Sequence, residues 1–161
     1  SGIAREEIFL VTKVWLTNAG DKRAMKSIEE SLRKLRTDYV DLLLVHQPYG
    51  DYYGTYRTLE KVLAEGKARA IGLSNFYDDR YCDIVTSANV KPAINQLETN
   101  VFSQQNKMRE LMKDYDTQIM AWAPMGQGKN NFFTHELLTS IGEKYGKSES
   151  TRTFHGSQRR N

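Results

Sequence analysis

A single cysteine, Cys82, among 161 residues excludes an intramolecular disulfide framework and any multi-cysteine metal site. The three histidines, His46, His135 and His155, have no ligand spacing with Cys82 or with nearby carboxylates, so the sequence carries no metal site. No apolar run reaches the roughly 20 residues of a membrane-spanning helix. There is no serine-centred nucleophile elbow and no glycine-rich dinucleotide loop, and GQGKN is too short and wrongly placed for a phosphate loop. A nucleotide, if bound, is therefore bound by another kind of fold. The net charge is only +3, from 23 basic and 20 acidic residues, with the signs interspersed, which argues against a dedicated nucleic-acid binder. Ala, Val, Ile, Leu, Met, Phe, Trp, Cys and Gly make up roughly 40% of the chain, below the roughly 45–50% of a typical globular protein, so an incomplete core is expected. The length suits one domain. The opening residues SGIAREEIFL lack both an initiating Met and the order of a signal peptide; they read as internal to something longer, in a reducing, cytoplasmic setting.

Five short apolar runs read as buried strands: Ile8 to Thr12, Val40 to Val45, Ala68 to Leu73, Pro92 to Leu97 and Gln118 to Ala123. Their continuous Val, Ile and Leu content suits parallel strands covered on both faces. Helical spacing lies between them. Ala24, Ile28, Leu32 and Leu35 share one face, and Tyr56, Leu59 and Leu63 share another that stops at Gly66. Shorter patterns follow at Tyr81, Ile84 and Val85, at Met108, Leu111, Met112 and Tyr115, and at Leu137, Leu138, Ile141 and Tyr145 before Gly146. Strand and helix alternate, which predicts an α/β fold with a parallel sheet. Pattern alone leaves open a small open sheet or part of an eight-stranded barrel. After Lys147 the tail SESTRTFHGSQRRN has one large apolar residue and no period, and it reads as a disordered segment, 148–161.

In parallel α/β folds chemistry gathers at the carboxyl ends of the strands. Here those ends carry Lys13, His46, Ser74 with Asn75, Asn95 with Gln96, and Trp122. Polar residues are ordinary where a strand leaves the core, so convergence of all five on one face is what makes them a candidate site. Lys13 beside Val14 and Trp15 would tune a neighbouring group. His46 would be a donor, acceptor or general acid. Ser74, Asn75 and Gln96 offer paired donors and acceptors for a planar amide. Trp122 could stack on a flat ring, and the Pro and Gly residues after it could bring backbone amides to phosphate.

The segments TKVW, VDLLLVHQP, EGKARAIGLSNF, INQLETN and AWAPMGQG occur in the order and spacing of the aldo-keto reductases. From about Gly2 to Lys147 the chain resembles that family, on the side of its bacterial small-carbonyl and diketogluconate-reductase-like branch. The resemblance implies a TIM (β/α)8 barrel seen in part, residues 1–147, with strands three to seven of eight. It further implies reduction of an aldehyde or ketone by hydride transfer from NADPH, with Asp, Tyr, Lys and His as catalytic tetrad. Lys13 and His46 match two of these. Ser74, Asn75 and Gln96 would hold the nicotinamide carboxamide, Trp122 would replace the usual Tyr stacked on the ring, and Ala123, Met125 and Gln127 would lie along the pyrophosphate. Ala123 stands where a Ser is usual. Trp15 and Gln47 would line the substrate pocket. The family's Asp and Tyr belong to a motif upstream of residue 1, and Tyr49, Tyr52 and Tyr53 lie in the wrong segment to replace the Tyr. The loss of pattern after Ser148 fits a shifted reading frame or truncation, with the adenosine-phosphate residues missing. The implied partner is a small carbonyl compound, with neither nucleic acid nor membrane. The alternative is a non-catalytic, nucleotide-binding or interaction remnant of the same fold, self-associating through exposed edge strands.

Overall fold

The computed structural model describes residues 2–146. Five strands, β1 (Val11–Val14), β2 (Val40–Val45), β3 (Ala68–Ser74), β4 (Ile94–Glu98) and β5 (Gln118–Trp122), form one sheet in the order β1-β2-β3-β4-β5, all pairs parallel. Between them run α1 (Asp21–Leu35), α2 (Tyr52–Ala64), α3 (Asp78–Ser87) and α4 (Asn106–Lys113); α5 (Glu136–Lys144) follows β5. Each strand lies beside its successor, so the order never reverses as it does in a doubly wound sheet. This decides the alternative that the pattern left open in favour of part of a barrel.

Side-chain alternation gives the sheet two unlike faces. Val14, Leu43, Val45, Ile71, Leu73 and Leu97 point to the outer face and share a core with Ala24, Ile28 and Leu32 of α1, Tyr56, Leu59 and Val62 of α2, Tyr81, Ile84 and Val85 of α3, and Met108 and Met112 of α4. Their strand neighbours Lys13, Leu44, Gly72, Ser74, Gln96 and Trp122 point to the inner face. Gly72 is required there: a Cβ would overlap the Ile94 carbonyl oxygen and come within 3.0 Å of Leu44 Cδ2. The helices start and stop where local chemistry directs. Asp51 caps α2 by accepting the Gly54 N–H at 2.8 Å, and Gly66 after it takes a φ of +72°, a backbone state that glycine adopts without steric cost.

At the amino ends of the strands Asp41 is almost wholly buried and ion-paired on both sides. Its carboxylate accepts the Leu10 N–H at 2.9 Å, Arg5 Nη2 at 2.9 Å and Arg69 Nη1 at 3.1 Å, while the Arg5 guanidinium lies 4.1 Å from the Tyr39 ring centre. This clasp fixes the segment before β1 onto β2 and β3.

Several expectations need correction. The first strand is Val11–Val14 rather than Ile8 to Thr12, because the first paired residue is Val11, opposite Leu42; Lys13 is thus inside the strand. Ser74 belongs to β3, Ala123 lies outside β5, and β4 starts at Ile94 rather than Pro92, which has no N–H to give a ladder. Leu35, in the last turn of α1, is 44% exposed. Leu137, Ile141 and Tyr145, spaced as one helical face, are also exposed, and in α5 only Gly142 is buried. The tail 148–161 lies outside the described residues.

Candidate active site

Period-two alternation carries Lys13, Ser74, Gln96 and Trp122 to the inner face at the carboxyl edge, and His46 follows directly on Val45. Strand register fixes their spacing. Lys13 pairs with Leu44, Ser74 with Gln96, Gln96 with Met120, and Glu98 with Trp122. His46 is anchored by its own N–H, which donates to the Val14 carbonyl at 3.1 Å.

Asn75 is the hub. Its backbone N–H donates to the Gln96 carbonyl at 3.0 Å. Its side-chain Nδ2 donates to the His46 carbonyl at 3.2 Å and to Ser74 Oγ at 3.1 Å, and its Oδ1 accepts the Trp122 Nε1–H at 2.9 Å. One side chain thus ties together the ends of β2, β3 and β5, and its main chain reaches β4. Asn75 manages this at a φ of +63°, in the left-handed region that Asn tolerates better than most residues.

The imidazole of His46 packs edge-on against Trp15, ring centres 4.7 Å apart. Burial, and secondarily the charge of Lys13, push the His46 pKa below its ordinary value. His46 is therefore neutral at pH 7, and its ring can donate one hydrogen bond without carrying charge. Trp15, one alternation beyond the inner-face Lys13, is 44% exposed, and Gln47, directly after His46, is half-buried.

Trp122 is held at both ends, since its carbonyl also accepts the Thr99 N–H at 3.1 Å. The chain then turns sharply. Ala123 has a φ of +49°, its carbonyl accepts the Gly126 N–H at 2.8 Å, and Met125 leads into a short 3-10 turn whose Gln127 is also left-handed and exposed. Ala123, Met125 and Gln127 are therefore consecutive parts of one loop at the edge, but hydrogen bonds join only its start to the Asn75 group.

Asn95, grouped with Gln96 in the sequence, goes elsewhere. It faces the helices, fully buried, and its Nδ2 donates to the Phe76 carbonyl at 2.7 Å. Asn100 is the residue that sequence reading passed over. Its Oδ1 accepts the Phe102 and Ser103 N–H groups at 2.9 and 3.1 Å, and its Nδ2 lies 3.4 Å from the Ala123 carbonyl. It thereby fastens the loop after β4 to the loop after β5. The signal was the ordinary one for an Asn at a turn, without a motif to mark it. Tyr52 and Tyr53 are remote from Lys13 in chemistry: the Tyr52 hydroxyl donates to Asp83 at 2.6 Å, and the bond of Tyr53 to the same carboxylate raises its pKa far above the ordinary phenol.

Fold and site together define a β/α-barrel chain with a polar and aromatic set at the carboxyl edge of its strands. Residues 2–148 match the aldo/keto reductase family model, and the chain belongs to that family. It is 41% identical over 149 residues to glyoxal reductase of Bacillus subtilis, covering 92% of this chain and 53% of that protein. Among solved structures, an aldo/keto reductase from Brucella melitensis superposes with a TM-score of 0.89 at 37% identity, over 94% of this chain and 58% of its own. A Bombyx mori aldo-keto reductase in complex with NADP superposes with a TM-score of 0.84 at 29% identity, over 94% of this chain and 55% of its own. The chain spans about half the length of the relatives it matches.

Proposed function

We propose that these residues are part of the active face of an NADPH-dependent reductase that converts a small aldehyde or ketone to the alcohol. The observation that carries this is the Asn75 group, which gathers the ends of four strands around one side chain. The open hydrogen-bonding capacity there fits a nicotinamide carboxamide. Ser74 Oγ accepts from Asn75, which leaves its proton to donate; Asn75 Oδ1 keeps one lone pair; and the Gln96 amide has no hydrogen-bond partner among the described residues. Ser74, Asn75 and Gln96 would hold the carboxamide, Trp122 would cover the ring, and Ala123, Met125 and Gln127 would border the pyrophosphate.

When bound, the dihydronicotinamide supplies the hydride. The protein's own part is electrostatic. Neutral His46 would donate to the substrate oxygen, and the Lys13 ammonium would favour the negative charge that grows on that oxygen. Trp15 and Gln47 would border the substrate. Similarity to a glyoxal reductase and to a putative methylglyoxal reductase favours small dicarbonyl compounds. The family resemblance assigns proton donation to a Tyr upstream of residue 1, and Tyr52 and Tyr53 are hydrogen-bonded to Asp83 instead of serving that role. General acid help contributes about 100- to 10,000-fold, so this chain by itself is expected to oxidise NADPH slowly or not at all with glyoxal. A cytoplasmic setting belongs to the same reading, supported by the lone Cys82.

The test is an NADPH titration followed by tryptophan emission from Trp15 and Trp122. Saturable quenching that disappears in Trp122→Ala is expected. A wild-type chain showing no quenching beyond inner-filter absorption would overturn the cofactor reading.

A further inference from the structure

The hydrogen bond between Trp122 and Asn75 has a chemical polarity that leaves no choice. An indole N–H only donates, so the Asn75 atom 2.9 Å away is the oxygen. A backbone carbonyl only accepts, so the atom 3.2 Å from the His46 carbonyl is the nitrogen. The second Nδ2 proton goes to Ser74 Oγ at 3.1 Å. Both donors of Asn75 are therefore engaged inside the protein, and it can meet a ligand only as an acceptor, through the remaining lone pair of Oδ1. The hydroxyl of Ser74, which is almost wholly buried, is left as the donor beside it.

We propose that Trp122 is a positioning residue as well as a ring surface: its indole N–H locks the Asn75 amide so that Asn75 accepts a carboxamide N–H while Ser74 donates to the carboxamide oxygen. This rests on the cofactor reading above and adds a direction to it. A phenyl or phenol ring at 122 could still cover a flat ring but has no N–H in the indole position. The Asn75 amide would then lose one of its restraints and could turn its nitrogen outward. The lock makes the site selective for an amide N–H on the ligand, because turning Asn75 breaks three bonds in the native protein.

Two measurements test it. The sequence has two tryptophans, so an amide-correlation NMR spectrum has two indole signals, assigned with Trp15→Phe and Trp122→Phe. In Asn75→Ala the Trp122 indole proton should move upfield and exchange with solvent about tenfold faster or more. Asn75→Asp, which keeps an acceptor, should restore the wild-type signal. An unchanged Trp122 signal in Asn75→Ala overturns the lock. The second measurement compares NADPH with its 3-acetylpyridine analogue, in which a methyl group replaces the amide nitrogen. Wild type should prefer NADPH by about threefold to tenfold, the size of one hydrogen bond, and Trp122→Phe should bind both within about twofold of each other. A ratio unchanged in Trp122→Phe overturns the positioning role while leaving the cofactor reading intact. A wild-type chain in which NADPH shifts neither indole signal overturns both.

Discussion

Strands β2 and β3 are built differently from β4 and β5, across the β3–β4 junction. Every residue of β2 is buried, and β3 is buried from Ile71 to Ser74. In β4 only the helix-facing Asn95 and Leu97 are buried, and β5 has no fully buried residue. The same contrast runs through the helices: α2 buries seven residues, whereas α5 buries only Gly142. The candidate site lies across this divide, with His46, Ser74 and Asn75 contributed by the packed side, Gln96 and Trp122 by the open one, and Lys13 by the edge strand β1, where only Val14 is buried. A packed side can hold a charged or neutral group in one place, and an open side leaves polar capacity for a ligand. The Asn75 bonds to His46 and Trp122 are where the two are joined.

The contrast would break most visibly in the core. Leu43→Ala, at a fully buried outer-face position of β2, should cost about 2–5 kcal/mol in denaturant unfolding. Gly72→Ala strikes the junction itself, where the added methyl meets the Ile94 carbonyl. It should cost about 1–3 kcal/mol, and heteronuclear NMR should show its shifts concentrated on β3 and β4. Ile141→Ala in α5, at 37% exposure, should change stability by less than about 0.5 kcal/mol. A loss at Ile141 equal to that at Leu43 would show that the open side is packed after all.

Two titrations sharpen the same comparison. The Leu10 N–H first, then Arg5 and Arg69, hold the Asp41 carboxyl down to about 2. Its folded pKa lies below its unfolded value of 3.8, so the stability it gives is complete above that value and fades as pH falls toward about 2. Asp41→Asn should therefore be less stable at pH 7 and show a flatter acid limb between about pH 4 and 2, read as the urea midpoint against pH. At the site, His46 should titrate below 6.5, mainly from burial. Lys13→Met removes only the smaller cause and should raise the midpoint part of the way, measured on the imidazole C2 proton.

Much of this was legible before any coordinates. Apart from the ion-paired Asp41, VDLLLV is apolar because β2 has a strand on each side and is covered on both faces, and its predicted bounds match the observed ones. Ala24, Ile28 and Leu32 are buried as their spacing requires. The weaker patterns misled for physical reasons. Leu137, Ile141 and Tyr145 have helical spacing, but spacing says nothing of whether a surface is present to cover them. Asn95 and Gln96 are adjacent in sequence, and alternation sends them to opposite faces.

By itself the sequence determined the alternation of strand and helix, the parallel sheet, the family, and the polar residue at the end of each strand, because these depend on local periodicity and on the order of short motifs. Only the tertiary structure decided that the strands follow one another without a reversal, that Lys13 lies inside its strand, and that Asn75 is joined at once to His46, Ser74 and Trp122. Asn75 and Trp122 are 47 positions apart; the sequence names both groups, but only the strand register brings an indole N–H to an amide oxygen.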